Sequence, residues 1–444
     1  MRGPFLLILA VGLTPLLVFG LIVTFSGLGL ARWEPPVMWA TQFGTPNAGN
    51  GVTATTTGTN RVYVAGYLND SSAHQDVEPN VFVASYDLSG HLIWIQQLER
   101  GIFSSEIRSI ATGADGVYIA GFLNGSAFVR KYDFGGSQVW TNTLGGLDSE
   151  TLSVSVGLDG VYAGAVGSTN MNGMAPFFMR EYDFKGGILW TISLGIYQGR
   201  SVGLFVAPGA VYATSSDTLS FASTNATVSK YASNSTLLWT RQLNNPPDLH
   251  CTCESDWIAG DSTGIYVAGY TYFSPTAINA FLVRFDSNGN RLWTVQTSSP
   301  DHSTILGVAM SASLSGAYLS VTTGAGHQFV MRYDNGGNLL WSVPTSAFGS
   351  ARTVNVVPIA AGPDDFFIGG SIRVDGGSDA YVAEFSQSSS LILFGLTPPF
   401  SFTLAGLLVG TVAIGILFVR KRNKGKSRPR SANIDYSPKA SIRT

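Results

Sequence analysis

The residues best suited to chemistry lie in one short stretch, where His250, Cys251, Cys253, Glu254 and Asp256 place imidazole, thiol and carboxylate groups within seven residues. Donors of these types suit a borderline-soft metal ion or a thiol redox pair. A closed zinc site, however, takes four ligands in tetrahedral array, usually from separated pairs, and this stretch has no second pair. The chain has only two cysteines, and three fates stay open for them: a local Cys251–Cys253 disulfide in a strained ring, free or intermolecular thiols, or a metal. The expectation is no bound metal and no cofactor, with the five residues serving instead as ligand-binding candidates in a long connection. His74 and Asp76 join them from another long polar connection, Asn69 to Asn80.

Other motifs dissolve on inspection. Gly260 to Gly264 reads GDSTG and matches the nucleophile pattern G-x-S-x-G, but that pattern works where a strand turns sharply into a helix. Here it aligns with Asp-Gly hairpins elsewhere in the chain. None of the five histidines shows a triad context. Aspartates recur before tight turns, yet each turn offers one carboxylate without the alternating ligands of a calcium loop. Turn capping explains them, and no catalytic residue is expected.

The elements that position these residues come from a repeat. Trp39, Trp94, Trp140, Trp190, Trp239, Trp293 and Trp341 recur at spacings of 55, 46, 50, 49, 54 and 48 residues. Ahead of each later Trp runs an apolar segment closing on an aromatic, as in Phe82 to Tyr86 and Phe128 to Tyr132, with a further apolar segment before it. Adding strands such as Gly51 to Thr56, Ile107 to Thr112 and Val354 to Val357 gives four short antiparallel strands per period, which describes a propeller blade. The predicted fold is all-β, a seven-bladed β-propeller of four-stranded antiparallel blades over residues 37–393. Blade seven lacks a Trp strand at its end, whereas Val37 to Phe43 stands unassigned before blade one. That N-terminal strand is therefore expected to complete the last blade and close the ring.

Strings such as VFVASYDLSGHLIW, AFLVRFDSNGNRLW and QFVMRYDNGGNLLW resemble the seven-bladed β-propeller repeat family known as SBBP, over roughly Met38 to Phe394. The resemblance implies the propeller fold and often an exported location, and it brings no common catalytic residue. Likeness to quinoprotein dehydrogenase propellers is confined to G-N-x-x-W.

Apolar stretches flank the repeat, Phe5 to Leu30 and Phe394 to Val419, each long enough to cross roughly 30 Å of hydrocarbon as a helix. Residues 1–31 are read as a transmembrane helix or a long signal sequence, and residues 394–419 as a transmembrane helix. Residues 420–444 hold nine Lys or Arg and one acid, net +8, against 17 and 27, net −10, in residues 1–419. This predicts a cell-membrane protein with a basic, disordered cytoplasmic tail and an extracellular propeller. An acidic outer domain argues against nucleic acid. Asn69, Asn124, Asn225 and Asn234 head glycosylation sequons.

Alternating strand directions put the C–D turns and both chain ends on one face, leaving the long loops on the other: Asn69 to Asn80, Asn170 to Pro176, Asp217 to Ala226, Asn244 to Asp256 and Tyr272 to Asn279. The expected function is a non-catalytic binding, adhesion or envelope scaffold module that meets an extracellular protein or glycan through that face. The alternative is a propeller enzyme, a lyase or a quinone- or metal-dependent oxidoreductase, using the central channel.

Overall fold

The computed structural model describes residues 35–386 except 45–47, 70–79, 99–103, 148, 169–174, 198–201, 221–222, 244–251, 262, 275–276, 345–357, 363–364 and 375–376. Among the described residues no helix is long and apolar enough to cross a membrane. The two expected spans and the basic tail lie outside them.

Seven four-stranded antiparallel sheets make up the disc. The chain opens with β1 (Val37–Phe43). Blade 1 is β2 (Asn50–Thr57), β3 (Arg61–Leu68), β4 (Asn80–Asp87) and β5 (Leu92–Gln97). Blade 2 is β6 (Glu106–Gly113), β7 (Gly116–Leu123), β8 (Ser126–Tyr132) and β9 (Gln138–Leu147). Blade 3 is β10 (Glu150–Val156), β11 (Val161–Val166), β12 (Ala175–Tyr182) and β13 (Ile188–Tyr197). Blade 4 is β14 (Leu204–Ala207), β15 (Ala210–Ser220), β16 (Ser223–Ala232) and β17 (Leu237–Gln242). Blade 5 is β18 (Thr252–Asp261), β19 (Gly264–Ser274), β20 (Ala277–Asp286) and β21 (Arg291–Thr297). Blade 6 is β22 (Ile305–Ser313), β23 (Gly316–Thr323), β24 (Gln328–Asp334) and β25 (Leu339–Pro344). Blade 7 takes β26 (Ile359–Ala361), β27 (Asp365–Val374), β28 (Gly377–Ser386) and, as its outer strand, β1. The expected closure is thus present, with Val37 opposite Phe385 and the Ser386 amide donating to the Pro36 carbonyl at 3.1 Å. It leaves no first or last blade with an unpaired edge.

Apolar residues that alternate along the inner three strands form seven separate clusters, each shared by two successive blades. One joins Ile119 to Val83, another Leu319 to Leu282, and the closing one Val382 to Val64. A single blade therefore cannot bury its own faces, which is why such repeats are stable only as a ring. Hydroxyls on the inner strands extend the linkage. Thr53 Oγ1 donates to the Ile107 carbonyl at 2.6 Å, and Ser109, Ser153 and Ser311 accept from the amides of Val154, Leu204 and Ala361.

The repeated Trp side chains pack against the rims of the core clusters. They are half-buried struts between blades, and in six of the seven the indole Nε1 donates to a carbonyl in the next blade's C–D turn: Trp39 to Leu88, Trp94 to Phe134, Trp140 to Phe184, Trp190 to Ser233, Trp239 to Ser287 and Trp293 to Asn335. The fully buried aromatics are the tyrosines beneath them, such as Tyr63, Tyr118 and Tyr182. The turns admit the indole because they carry Gly at positive φ. A Cβ on Gly90, Gly136, Gly186, Gly289 or Gly337 would stand 2.6–3.0 Å from the ring of the preceding blade's Trp. Each turn Asp, from Asp87 to Asp334, accepts from its own turn's amides, as expected for capping.

Three expectations are corrected. Asp217 to Ala226 and Tyr272 to Asn279 are not loops: β15–β16 and β19–β20 run on as long hairpins to Ser220–Ser223 and Ser274–Ala277. Continuing the ladder satisfies backbone groups that a loop would leave to water. The inner strand of blade 7 is Ile359–Ala361, whereas Val354 to Val357 lies outside the described residues. And the Asn244 to Asp256 connection ends early, at Thr252, where β18 begins.

Candidate functional site

The B–C hairpins and D–A connections share one face of the disc, opposite the turns. Among the predicted ligand-binding residues, His74, Asp76, His250 and Cys251 lie outside the described residues. The backbone of Cys253, Glu254 and Asp256 is in β18, facing Thr271, Tyr270 and the Gly269–Ala268 step of β19. Three of the five cluster residues thus belong to the innermost strand, and the disulfide expectation falls on residues whose side chains are not described. Among the described residues no group of three His, Cys, Asp or Glu suited to a metal ion occurs. GDSTG is a hairpin as expected: Asp261 pairs with Gly264, and Asp261 Oδ1 accepts from the Thr263 amide at 2.7 Å.

Asp256 gains a different significance from its register. It is the extra residue of a β-bulge, and the inner strands of four other blades bulge at the equivalent place, with Thr53, Arg108, Leu152 and Leu306. A bulge re-aims its extra residue out of the ladder. All five lie in the first half of their inner strands, at the loop-face end. Arg108 there lies 3.2 Å from Glu106 and 3.8 Å from Glu150 of the next blade, with its guanidinium 5.6 Å from the Phe122 ring centre. Burial pushes the Glu106 carboxyl up, Arg108 draws it back and Glu150 raises it further. The guanidinium thus links the carboxyls of two successive blades.

A second constellation joins the D–A and B–C connections of blade 6. Asp301 accepts from Ser299 and Ser303 hydroxyls, from Thr323 Oγ1 at 3.1 Å and from the Ser303 amide at 3.1 Å, and its Oδ2 lies 2.6 Å from His327 Nδ1. Burial raises the Asp301 carboxyl, but the bonds from Ser299, Ser303 and His327 outweigh it and hold the group well below the usual carboxylate range. The ring of His327 is fixed through Nδ1, and its side chain is 56% exposed, which presents Nε2 to a ligand. No histidine showed a triad context in the sequence, where 26 residues separate the members of this pair. Only the hairpin geometry brings them together.

Sequence reasoning also passed over a row of charges beneath the Trp struts. Opposite each Trp on the neighbouring strand stands Ser85, Lys131, Glu181, Lys230, Arg284, Arg332 or Glu384. In blades 2, 4 and 5 this cation and the Trp donate to the same carbonyl of the next blade: Lys131 to Phe184 at 3.0 Å, Lys230 to Ser287 at 2.8 Å and Arg284 to Asn335 at 2.6 Å. Each cation also lies over a B-strand tyrosine, Lys131 with Tyr118 and Arg332 with Tyr318 at 5.4 and 4.4 Å from the ring centres. The available signal was a charged residue directly before the C-strand aromatic in six of the seven blades. Lys131, Lys230 and Arg284 fasten one blade to the next, whereas Arg332 bonds within its own blade.

The sequons divide between faces. Asn124, at φ 52°, sits in a loop-face hairpin, whereas Asn234 sits in a C–D turn. Asn69 Oδ1 is buried against the loop-face connections, and Asn225 lies in the blade 4 hairpin.

Residues 180–371 match the family model described as outer membrane protein assembly factor BamB. No curated protein matches the chain. A solved structure, the crystal structure of Chaetomium thermophilum Raptor, is 13% identical with a TM-score of 0.49, over 81% of this chain and 29% of that one. The chain thus spans less than a third of that solved protein and is similar, in its propeller repeats, to an assembly-factor family.

Proposed function

We propose that this chain is a membrane-tethered propeller of the repeat kind it resembles, acting as a non-catalytic binding or scaffold module whose loop face meets a protein or glycan outside the cell. One observation carries the reading: the chain enters and leaves the ring side by side, Val37 against Phe385, on the turn face. Both flanking apolar stretches therefore attach to that face, and the loop face is left free. Similarity of residues 180–371 to an assembly factor supports a scaffold over a catalyst. The Arg108 cluster and the oriented His327 supply the polar groups such a surface needs.

The test is direct binding of the full chain, in detergent, to a panel of cell-envelope glycans and purified envelope proteins. Binding that weakens with Arg108→Ala or His327→Ala but not with substitutions at the C–D turns supports the reading. Binding indifferent to both loop-face variants counts against it. A melting temperature raised by calcium, zinc, copper or a quinone would instead favour a channel enzyme, because a ligand held only by the folded state stabilises it.

A further inference from the structure

Every C–D hairpin in the ring carries a bulge just before its Trp. The seven extra residues are Met38, Ile93, Val139, Leu189, Leu238, Leu292 and Leu340. All are apolar, and all are exposed, from 45% for Ile93 to 59% for Met38. The bulge itself has a structural reason, since it disrupts the outer edge and discourages pairing with another chain. An apolar residue there does not, because natural edges are usually guarded by charge.

The turns beside this belt continue it. Leu88 and Phe134 are exposed in C–D turns, and Leu158 and Leu314 cap A–B hairpins at 85% and 80% exposure. Among the described residues, Leu306 is the one large exposed apolar side chain placed at the opposite face. Among the described residues the exposed apolar surface is thus gathered on a single side of the disc, where a scatter would need no explanation.

We propose that the turn face docks flat on the lipid bilayer, its belt of bulge residues seated at the headgroup level. This rests on the tethering proposed above and goes beyond it, since a tethered disc would otherwise stand free. The chain ends choose lipid as the occupant. Pro36 and Ser386 emerge together on this face, six and eight residues from the apolar stretches ending at Leu30 and beginning at Phe394. Fully extended, such connections reach roughly 20 and 28 Å, so the face stays close to any bilayer those stretches cross. Turn aspartates and the cations Arg61, Lys230, Arg241 and Arg284 share this face, so no strong sign of charge calls for anionic lipid and zwitterionic phosphatidylcholine is the probe.

Each Trp strut follows its bulge residue in sequence and reports on this face. The full chain carrying Trp33→Phe, which removes the indole nearest the N-terminal apolar stretch, is reconstituted into phosphatidylcholine vesicles with brominated acyl chains. Marked quenching of Trp fluorescence is expected, roughly halved by the combined variant Ile93→Ser, Leu189→Ser, Leu238→Ser and Leu340→Ser and unchanged by Leu306→Ser. Unaltered thermal melts show that both variants keep the fold. Quenching that is absent, or indifferent to the four substitutions, overturns the docking. So does a detergent-stable dimer that the four substitutions dissolve, which would give the belt to a second copy. Extraction of the chain at alkaline pH bears on the tether alone, and quenching decides the face.

Discussion

The two faces of the disc are made of the same strands and obey different rules. On the turn face the solution barely varies: an Asp that binds its own turn, a left-handed Gly, a bulged apolar residue and a Trp reaching the next blade's carbonyl. On the loop face each junction is solved separately. Asn50 of blade 1 bridges to Ser378 of blade 7, Ser105 holds the Asn124 amide at blade 2, and Asp301 gathers hydroxyls and His327 at blade 6. Where geometry must recur for the ring to close, the residues recur. Where it need not, they diverge, and diversity is what recognition of a particular partner requires.

Substitutions on the turn face should therefore cost stability. The largest effect is expected for Trp140→Ala, which removes the ring packed between Tyr118 and Tyr182 and the bond to Phe184. Its half-burial sets the cost near 3 kcal/mol, read as a lower denaturation midpoint. Trp140→Phe should lose about 1 kcal/mol, chiefly the hydrogen bond. A cost for Trp140→Ala no greater than that of a surface substitution would dissolve the contrast between faces.

Next in size is Gly337→Ala. It forces a Cβ into a left-handed turn at φ 85° and to 2.8 Å from Trp293, for about 2 kcal/mol. The same change at Gly209, also at positive φ but with open space around it, should cost about half as much. Equal losses at the two sites would mean that the strut does not press on the turn.

The closing blade offers a smaller, pH-dependent effect. Burial, then the Asp365 carboxylate, pushes Glu384 up to about 7, with a bond from Trp39 opposing. A carboxyl raised in the folded state holds its proton more tightly folded than unfolded. Its contribution is full below the ordinary value of 4.5 and is lost as pH rises through about 7. The melting temperature should thus decline from about pH 5 to about pH 8, and less so in Glu384→Gln, which mimics the protonated state. Parallel profiles for the two proteins would remove Glu384 from the account.

The smallest stability effect belongs to the loop face. His327→Ala removes an exposed ring and should change stability by no more than about 0.5 kcal/mol while weakening partner binding. A large loss of stability would make the dyad a fastener like those opposite and leave the faces alike.

Much of this was legible because a propeller repeats its constraints. The Trp spacing, the Asp-Gly turns and the spare strand Val37 to Phe43 led to seven blades and their closure. The loop face was harder to read. Ser- and Thr-rich hairpins such as Ala210–Ser220 look like loops, and the inner-strand bulges at Arg108 and Asp256 break the alternation that marks a strand. His250, Cys251, Cys253, Glu254 and Asp256 looked like one cluster because they are adjacent in sequence. A strand starting at Thr252 takes up the backbone of Cys253, Glu254 and Asp256.

By itself, then, the sequence determined what local periodicity can encode: strand count, turn type, the displaced outer strand and the apolar flanks. Tertiary structure decided everything that depends on which residues oppose each other across blades. It made the repeated Trp residues struts between blades, put Lys131 and Trp140 on one carbonyl, brought His327 to Asp301 and aligned seven bulged apolar side chains into a belt. The physical reason is register. A bulge shifts it by one residue and reverses which way a side chain points, and only pairing with a neighbouring strand reveals that shift.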